Sequence, residues 1–159
     1  MSDQAHSIEG GGNVPRVADL FGGARVLGRR LATPLDAHEM LLHGLPGHAL
    51  NHLVDGLIVL KRTSSSLEKA VGMSLRTYQR RKDAPAKPLS PEQSGRTWKF
   101  AEILARATAV LGGQAEAEQW LEQPALALDG RRPIDLLATP AGVELVEDLL
   151  TRLEYGVYV

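Results

Sequence analysis

The segment SSLEKAVGMSLRTYQRRK, residues 65–82, decides the fold of this chain. Its first part carries apolar residues at the spacing of one helix face, namely Leu67, Ala70 and Val71. Gly72 permits a turn that other residues adopt only with strain. Ser74 then stands where a second helix needs a cap. Residues 64–82 therefore predict a helix-turn-helix, in which a serine at position 64, 65 or 66 caps the first helix.

The second helix of this motif carries many polar and basic side chains that can reach DNA. They are Ser74, Arg76, Thr77, Gln79, Arg80, Arg81 and Lys82. Such a helix fits the major groove, which is about 12 Å wide, where glutamine pairs with adenine and arginine with guanine. We expect the last three of these residues to contact backbone phosphate. The alternative is a structural helical hairpin whose basic face is merely solvated.

The rest of the chain predicts an all-α fold in two parts. Residues 1–13 are polar and glycine-rich, which is typical of a disordered tail. Residues 14–88 form a helical DNA-binding region that contains the motif. The segment APAKPLSP, residues 84–91, breaks the helix and indicates a hinge. Residues 89–159 form a second helical domain.

Two local predictions in these parts are specific. Thr33 and Pro34 begin one helix, which Gly44 ends. The apolar run LIVL, residues 57–60, has no second strand to pair with, so it is interpreted as the buried end of a helix.

The last helix has one apolar face and an aromatic end. The predicted buried residues are Val143, Val146, Leu149, Leu150 and Leu153. Gly156 ends the helix and leaves a short apolar tail. Trp98 and Trp120 are expected to anchor the core of the second half.

The net charge of −1 conceals an uneven distribution. Residues 74–106 carry eight basic and three acidic side chains, whereas residues 116–154 carry nine acidic and three basic ones. This division indicates two different partners, although chance unevenness of a solvated surface is the alternative. The absence of cysteine excludes disulfides and thiolate zinc sites, and it fits a cytoplasmic protein. No apolar run approaches the roughly 18 residues of a membrane span.

Histidines are the only residues that suggest a metal or an enzyme. His48 and His52 are four apart on one helix face, as zinc ligands are, but no acidic residue completes an HExxH pattern. No spacing ties a nucleophile to a base. We therefore expect neither a metal site nor catalysis.

The second half resembles the toxin-binding domain of the Xre/MbcA/ParS-like antitoxins. The motifs that carry the resemblance occur in order: LS before Arg96, LGG after an alanine-rich helix, Trp120 and Leu121 before a proline, LLATPAG, and the closing LEYGVYV. Upstream, LRTYQRRK resembles the third helix of that family. Asp129 stands where the family leads us to expect glycine.

The resemblance implies a function that the composition does not show. Members of this family neutralise toxins with an RES domain, which destroy NAD, and many repress their own operon as dimers. The implied partners are thus a RES-domain toxin, operator DNA and a second copy of the chain, and no cofactor is implied. We expect the toxin contact at the C-terminal end of the chain, through Arg152, Tyr155, Gly156, Val157, Tyr158 and Val159. In the alternative interpretation, this tail packs on its own domain.

A second function remains open at this point. A stand-alone helix-turn-helix regulator would use the second half to bind an effector or to dimerise, and it would carry a closed apolar pocket there.

Overall fold

The computed structural model describes residues 13–156, and these residues form helices joined by short connections. The α-helices are α1 (Asn13–Leu20), α2 (Gly23–Leu27), α3 (Pro34–His43), α4 (Gly47–Asp55), α5 (Ser64–Val71), α6 (Leu75–Asp83), α7 (Pro91–Leu111), α8 (Gln114–Glu122) and α9 (Pro140–Glu154). Three 3₁₀ turns complete them, at Leu60–Arg62, Leu126–Leu128 and Pro133–Leu136. Within the described range the only β-pairing is an isolated bridge between Ala125 and Arg131. The all-α prediction is confirmed.

Two predicted segments fall at the margins of the described range. The predicted disordered tail, residues 1–13, lies outside it except for Asn13, and there the prediction is wrong because Asn13 is the first residue of α1. Val157, Tyr158 and Val159 also lie outside the described residues.

Short polar residues begin most of the helices, as the sequence predicts. Thr33 and Asp36 form a capping box at α3, in which Thr33 Oγ1 accepts from the Asp36 amide at 3.1 Å. The amide of Ala32 and, reciprocally, the amide of Thr33 both donate to the Asp36 carboxylate, and these bonds lower the pKa of Asp36. At α5 the predicted cap is wrong: Thr63, not one of the three serines, caps the helix by accepting from the Ser66 amide.

Helix α7 is the centre of the fold. It spans 21 residues and contacts five other helices, α1, α3, α5, α8 and α9. Its buried residues lie on more than one face because different neighbours cover different sides; they are Ser94, Thr97, Trp98, Phe100, Ala101, Ile103, Leu104 and Ala107. The core is therefore one cluster that includes residues of both predicted halves.

One aromatic pair shows how closely the two halves are joined. Phe21, between α1 and α2, is fully buried and stacks on Trp98 of α7 with ring centroids 5.6 Å apart. Trp98 thus anchors the first half as well as the second. Trp120 is only half-buried at the margin of the core.

The LIVL run is not the end of a helix, and this prediction is wrong. Helix α4 ends at Asp55, and Gly56 follows as its C-cap. Leu57, Ile58 and Val59 continue as irregular backbone into the 3₁₀ turn at Leu60–Arg62.

The proline-rich segment packs against the first half and does not form a free linker. The Leu89 amide donates to the Leu45 carbonyl at 2.8 Å, and the His48 amide donates to the Pro85 carbonyl at 2.9 Å. Leu89 itself is buried. The segment ends α6 as predicted, but these contacts tie it to the start of α4.

Candidate functional site

Helices α5 and α6 form the predicted helix-turn-helix. Gly72 has φ +71°, and its amide donates to the Glu68 carbonyl, which ends α5. The Glu68 carboxylate in turn accepts from the Leu75 amide at 2.8 Å and so ties the turn to the start of α6. Ala70 is fully buried, where its small side chain permits close packing.

The outward face of α6 is polar and basic. The exposed side chains of this helix are those of Arg76, Gln79, Arg80, Lys82 and Asp83, so three are basic and one is acidic. Within the described part of the chain, none of the three cations in this set has a carboxylate within 4 Å. Tyr78 lies on the opposite face, where burial raises the pKa of its hydroxyl. The face therefore carries net positive charge, and within the described chain its cations are free of close ion pairs.

Ser74 and Thr77 lie at the N-terminus of α6, where a helix attracts anions. Ser74 Oγ accepts from the Thr77 amide at 3.1 Å and lies 3.0 Å from Thr77 Oγ1. These contacts use the Ser74 side chain as a helix cap. Thr77 is half-buried.

Arg81 differs from its neighbours because its guanidinium is already engaged. It donates to Gln93 Oε1 at 2.8 Å and to the Pro88 carbonyl at 3.4 Å. Arg81 therefore links α6 to the start of α7. It also lines a groove of about 370 Å³ together with Arg80, Ala84 and Lys87, so a concentration of positive charge remains at the end of α6.

The last helix presents a second, chemically different surface. Val143, Val146, Leu149 and Leu150 are buried as predicted, and Leu153 is half-buried. On the opposite side Leu145 is 53% exposed and Tyr155 is 70% exposed, with Arg152 between them. Gly156 follows with φ +73°. Arg152, Tyr155 and Gly156 thus lie at the exposed C-terminal end of α9, and the exposed Leu145 and Asp148 precede them on the same face. We call these residues the α9 surface: Leu145, Asp148, Arg152, Tyr155 and Gly156.

The sequence reasoning missed the roles of three residues that join the second half to α5 and to the backbone before it. Glu118 of α8 is fully buried among backbone amides of residues 58–60. Arg96 of α7 donates to carbonyls at the end of α5, and burial lowers its pKa. Asp135 accepts from Arg132 and Lys69, and these contacts lower its pKa to about 2. The sequence could have indicated that Glu118 is buried, because it shares a helix face with the apolar residues Ala117 and Leu121.

The described residues contain no group of three or more potential metal ligands. No helix among them is long and apolar enough to cross a membrane. A groove of about 590 Å³ lies between α7 and the start of α9, with Leu137, Pro140 and Val143 among its lining residues.

Two family models match the chain, one on each of these regions. Residues 36–102 match the Antitoxin Xre-like helix-turn-helix domain, which confirms the predicted motif. Residues 106–156 match the Antitoxin Xre/MbcA/ParS C-terminal toxin-binding domain. The interval between the two matches falls inside α7.

Curated relatives match along most of their length. The chain is 28% identical to "Antitoxin Xre" of Pseudomonas putida KT2440, over 79% of this chain and 76% of that protein. It is 27% identical to "Antitoxin Xre" of Yersinia enterocolitica, over 84% and 91% respectively. It is 26% identical to "Prs ADP-ribosylating antitoxin" of a Sphingobium strain, over 80% and 83%. The two domain matches and these relatives together show that the chain belongs to the Xre/MbcA/ParS-like antitoxins of toxin–antitoxin systems.

Proposed function

We propose that this antitoxin neutralises an NAD-degrading toxin with a RES domain and represses its own operon by binding operator DNA, without catalysis of its own. The observation that carries the proposal is the presence of two exposed surfaces of different chemistry on one core. The face of α6 has net positive charge and suits phosphate, whereas the α9 surface exposes Leu145 and Tyr155 beside the charged Asp148 and Arg152 and suits a protein.

The toxin contact is assigned to the toxin-binding domain. Residues 106–156 match that domain, and within it Tyr155 and Leu145 are large apolar side chains left exposed. Arg152 lies beside them, and arginine and tyrosine are the residue types that most often dominate protein interfaces. We assign Val157, Tyr158 and Val159, which follow directly in the sequence, to the same contact near the NAD cleft of the toxin. The name of the Sphingobium relative mentions ADP-ribosylation, a reaction that consumes NAD.

Cellular NAD tests the toxin assignment. The antitoxin is co-expressed with the product of the adjacent gene, and NAD is measured at matched protein levels. We expect the wild-type chain to preserve NAD and the double variant Arg152→Ala with Tyr155→Ala to lose most of this protection. Leu42→Ala is a suitable control because Leu42 is 58% exposed on α3, outside the toxin-binding domain. Full protection by the double variant would refute the assigned contact.

The DNA assignment rests on α6 and is tested by salt dependence. Arg80→Ala should weaken binding to the chain's own promoter and flatten the slope of log K against log salt by roughly 0.9 for each lost phosphate contact. Arg76, Gln79 and Lys82 are the other exposed candidates. Arg131→Ala is the charge-matched control, because Arg131 lies in the second half beside Asp129. An unchanged slope for Arg80→Ala would exclude α6 from the interface.

We further propose that the antitoxin acts as a homodimer, since paired helix-turn-helix motifs read half-sites one helical turn apart, about 34 Å. Light scattering of the free protein tests this directly, and a monomer bound to a single half-site would refute it. The rival function is a regulator without a toxin partner. It predicts that the product of the adjacent gene does not co-purify with the chain and that expression of that product leaves cellular NAD unchanged.

A further inference from the structure

A buried carboxylate of the toxin-binding domain holds the backbone that leads into the helix-turn-helix. Glu118 Oε1 accepts from the amides of Ile58, Val59 and Leu60 at 2.8 to 3.0 Å. Glu118 Oε2 lies 3.0 Å from the Ile58 amide and 2.9 Å from Gln114 Nε2. Burial of a carboxylate is costly unless donors surround it, and here four N–H groups do so. Glu118 therefore fixes the backbone immediately before Thr63, which caps α5.

Three further side chains from beyond residue 90 hold α5 along its length. Ser66, in the first turn, donates to Glu122 of α8. Lys69, in the last turn, pairs with Asp135 of the third 3₁₀ turn. Arg96 donates to the carbonyls of Lys69 and Ala70, which a helix end leaves without partners. Helix α5 is thus held at its start, on its flank and at its end by residues of the central helix and of the toxin-binding domain.

The position of α6, the helix assigned to DNA, depends on α5 as well as on α4. Helix α6 packs on α5 and α4, and the turn between α5 and α6 lies under Arg96. A Cβ added at Gly72 would stand 2.5 Å from Arg96 Cγ, so a larger residue at position 72 would collide with the Arg96 side chain. A shift of α5 would therefore carry α6 with it.

We propose that Glu118 is a positioning residue for sequence-specific DNA binding, although it belongs to the toxin-binding domain and is fully buried. It sets the orientation of the helix-turn-helix through the backbone of residues 58–60. This inference rests on the proposed DNA-binding function. Sequence-specific affinity requires side chains of α6 to meet base edges at fixed positions, whereas non-specific affinity depends on charge alone. Loss of Glu118 should therefore reduce the preference for operator over other DNA.

The experiment compares operator DNA with a scrambled duplex of equal length. Full-length wild type, Glu118→Gln and Glu116→Gln are titrated by fluorescence anisotropy, well below the Tm of each protein. Glu116 is the matched control because it lies exposed on the same helix and its substitution changes the net charge equally. We expect Glu118→Gln to bind operator about tenfold more weakly, with affinity for scrambled DNA within twofold of wild type. Glu116→Gln should keep both affinities.

Each outcome decides between a positioning role and a merely stabilising one. A lower Tm with an unchanged ratio of operator to scrambled affinity would show that Glu118 only stabilises the fold, and would overturn the proposal. If Glu118→Gln does not fold, Gln114→Ala is tested in its place, because it removes only one hydrogen-bond donor of the Glu118 carboxylate. A fall of about threefold in the ratio of operator to scrambled affinity supports the proposal, and an unchanged ratio overturns it. A wild-type chain without preference for the operator would instead refute the proposed DNA function itself.

Discussion

Replacement of Phe21 by alanine should destabilise the whole protein, including the toxin-binding domain that does not contain this residue. Phe21 is fully buried and stacked on Trp98. Truncation of a buried phenylalanine costs about 3 to 5 kcal/mol, against a total stability of roughly 5 to 15 kcal/mol for an ordinary protein. For a chain of this size, a loss of about 4 kcal/mol corresponds to a decrease in Tm of roughly 10 °C.

Urea unfolding with two probes measures this effect. Far-UV circular dichroism reports all helices, whereas tryptophan fluorescence reports Trp98 and Trp120. Because the core is one cluster, both midpoints should fall together in Phe21→Ala. Leu126→Ala is the control: Leu126 is 87% exposed, so the free energy of unfolding should change by less than about 0.5 kcal/mol. A loss below about 1 kcal/mol in Phe21→Ala, or midpoints that separate, would refute the idea of a shared core.

Three further predictions concern pH, packing and truncation. The pKa of Asp135 is about 2, below its usual 3.8, so the ionised carboxylate stabilises the fold above pH 4 and this contribution is lost as the pH falls from 4 toward 2. Asp135→Asn should lower the free energy of unfolding by about 1 kcal/mol at neutral pH and should remove this loss of stability between pH 4 and pH 2. Asp129→Asn, at an exposed pair, should do neither. Gly142→Ala should cost at least about 2 kcal/mol by thermal unfolding, because its Cβ would stand 2.1 Å from a backbone carbonyl, whereas Gly95→Ala, with open space around it, should stabilise α7 slightly. Residues 89–159 expressed alone should show reduced helicity and no cooperative thermal transition, since α7 loses the helices that cover it; a sharp transition would contradict this.

Local chemistry made the helices and their ends predictable from the sequence. The caps at Thr33, Ser74 and Thr139 depend only on residues within four positions of them, and each forms as its local sequence indicates. The turn at Gly72 follows from the same local logic. Asp129 is instructive here: the resemblance predicts glycine, and Asp129 adopts φ +54°, a conformation that glycine takes without strain.

Contacts between distant residues made the remaining features unpredictable. The LIVL run ends outside a helix because Glu118, about 60 positions away, supplies the acceptors that its amides need. Arg81 looked like its basic neighbours, but Gln93 and Pro88 engage its guanidinium. Periodicity identifies which residues are buried but not which segment covers them. The sequence therefore places Trp98 in the core of the second half and gives no sign that Phe21 covers it.

Helix α7 runs without a break through the interval between the two domain matches, so the two matched regions share one continuous helix. It rises about 1.5 Å per residue and about 31 Å in total, with 100° of rotation at each step. If a protein docks on α9 and a duplex binds α6, as proposed, the shared core built around α7 holds the two partners at a fixed distance and angle. Insertion of a single residue into α7 would turn the side chains beyond it by about 100° and misalign them with the helices that cover α7, whereas an insertion of seven residues would nearly preserve the phase. Natural insertions in this segment should consequently occur in whole turns, because only whole turns return the buried side chains of α7 to the faces that its neighbours cover.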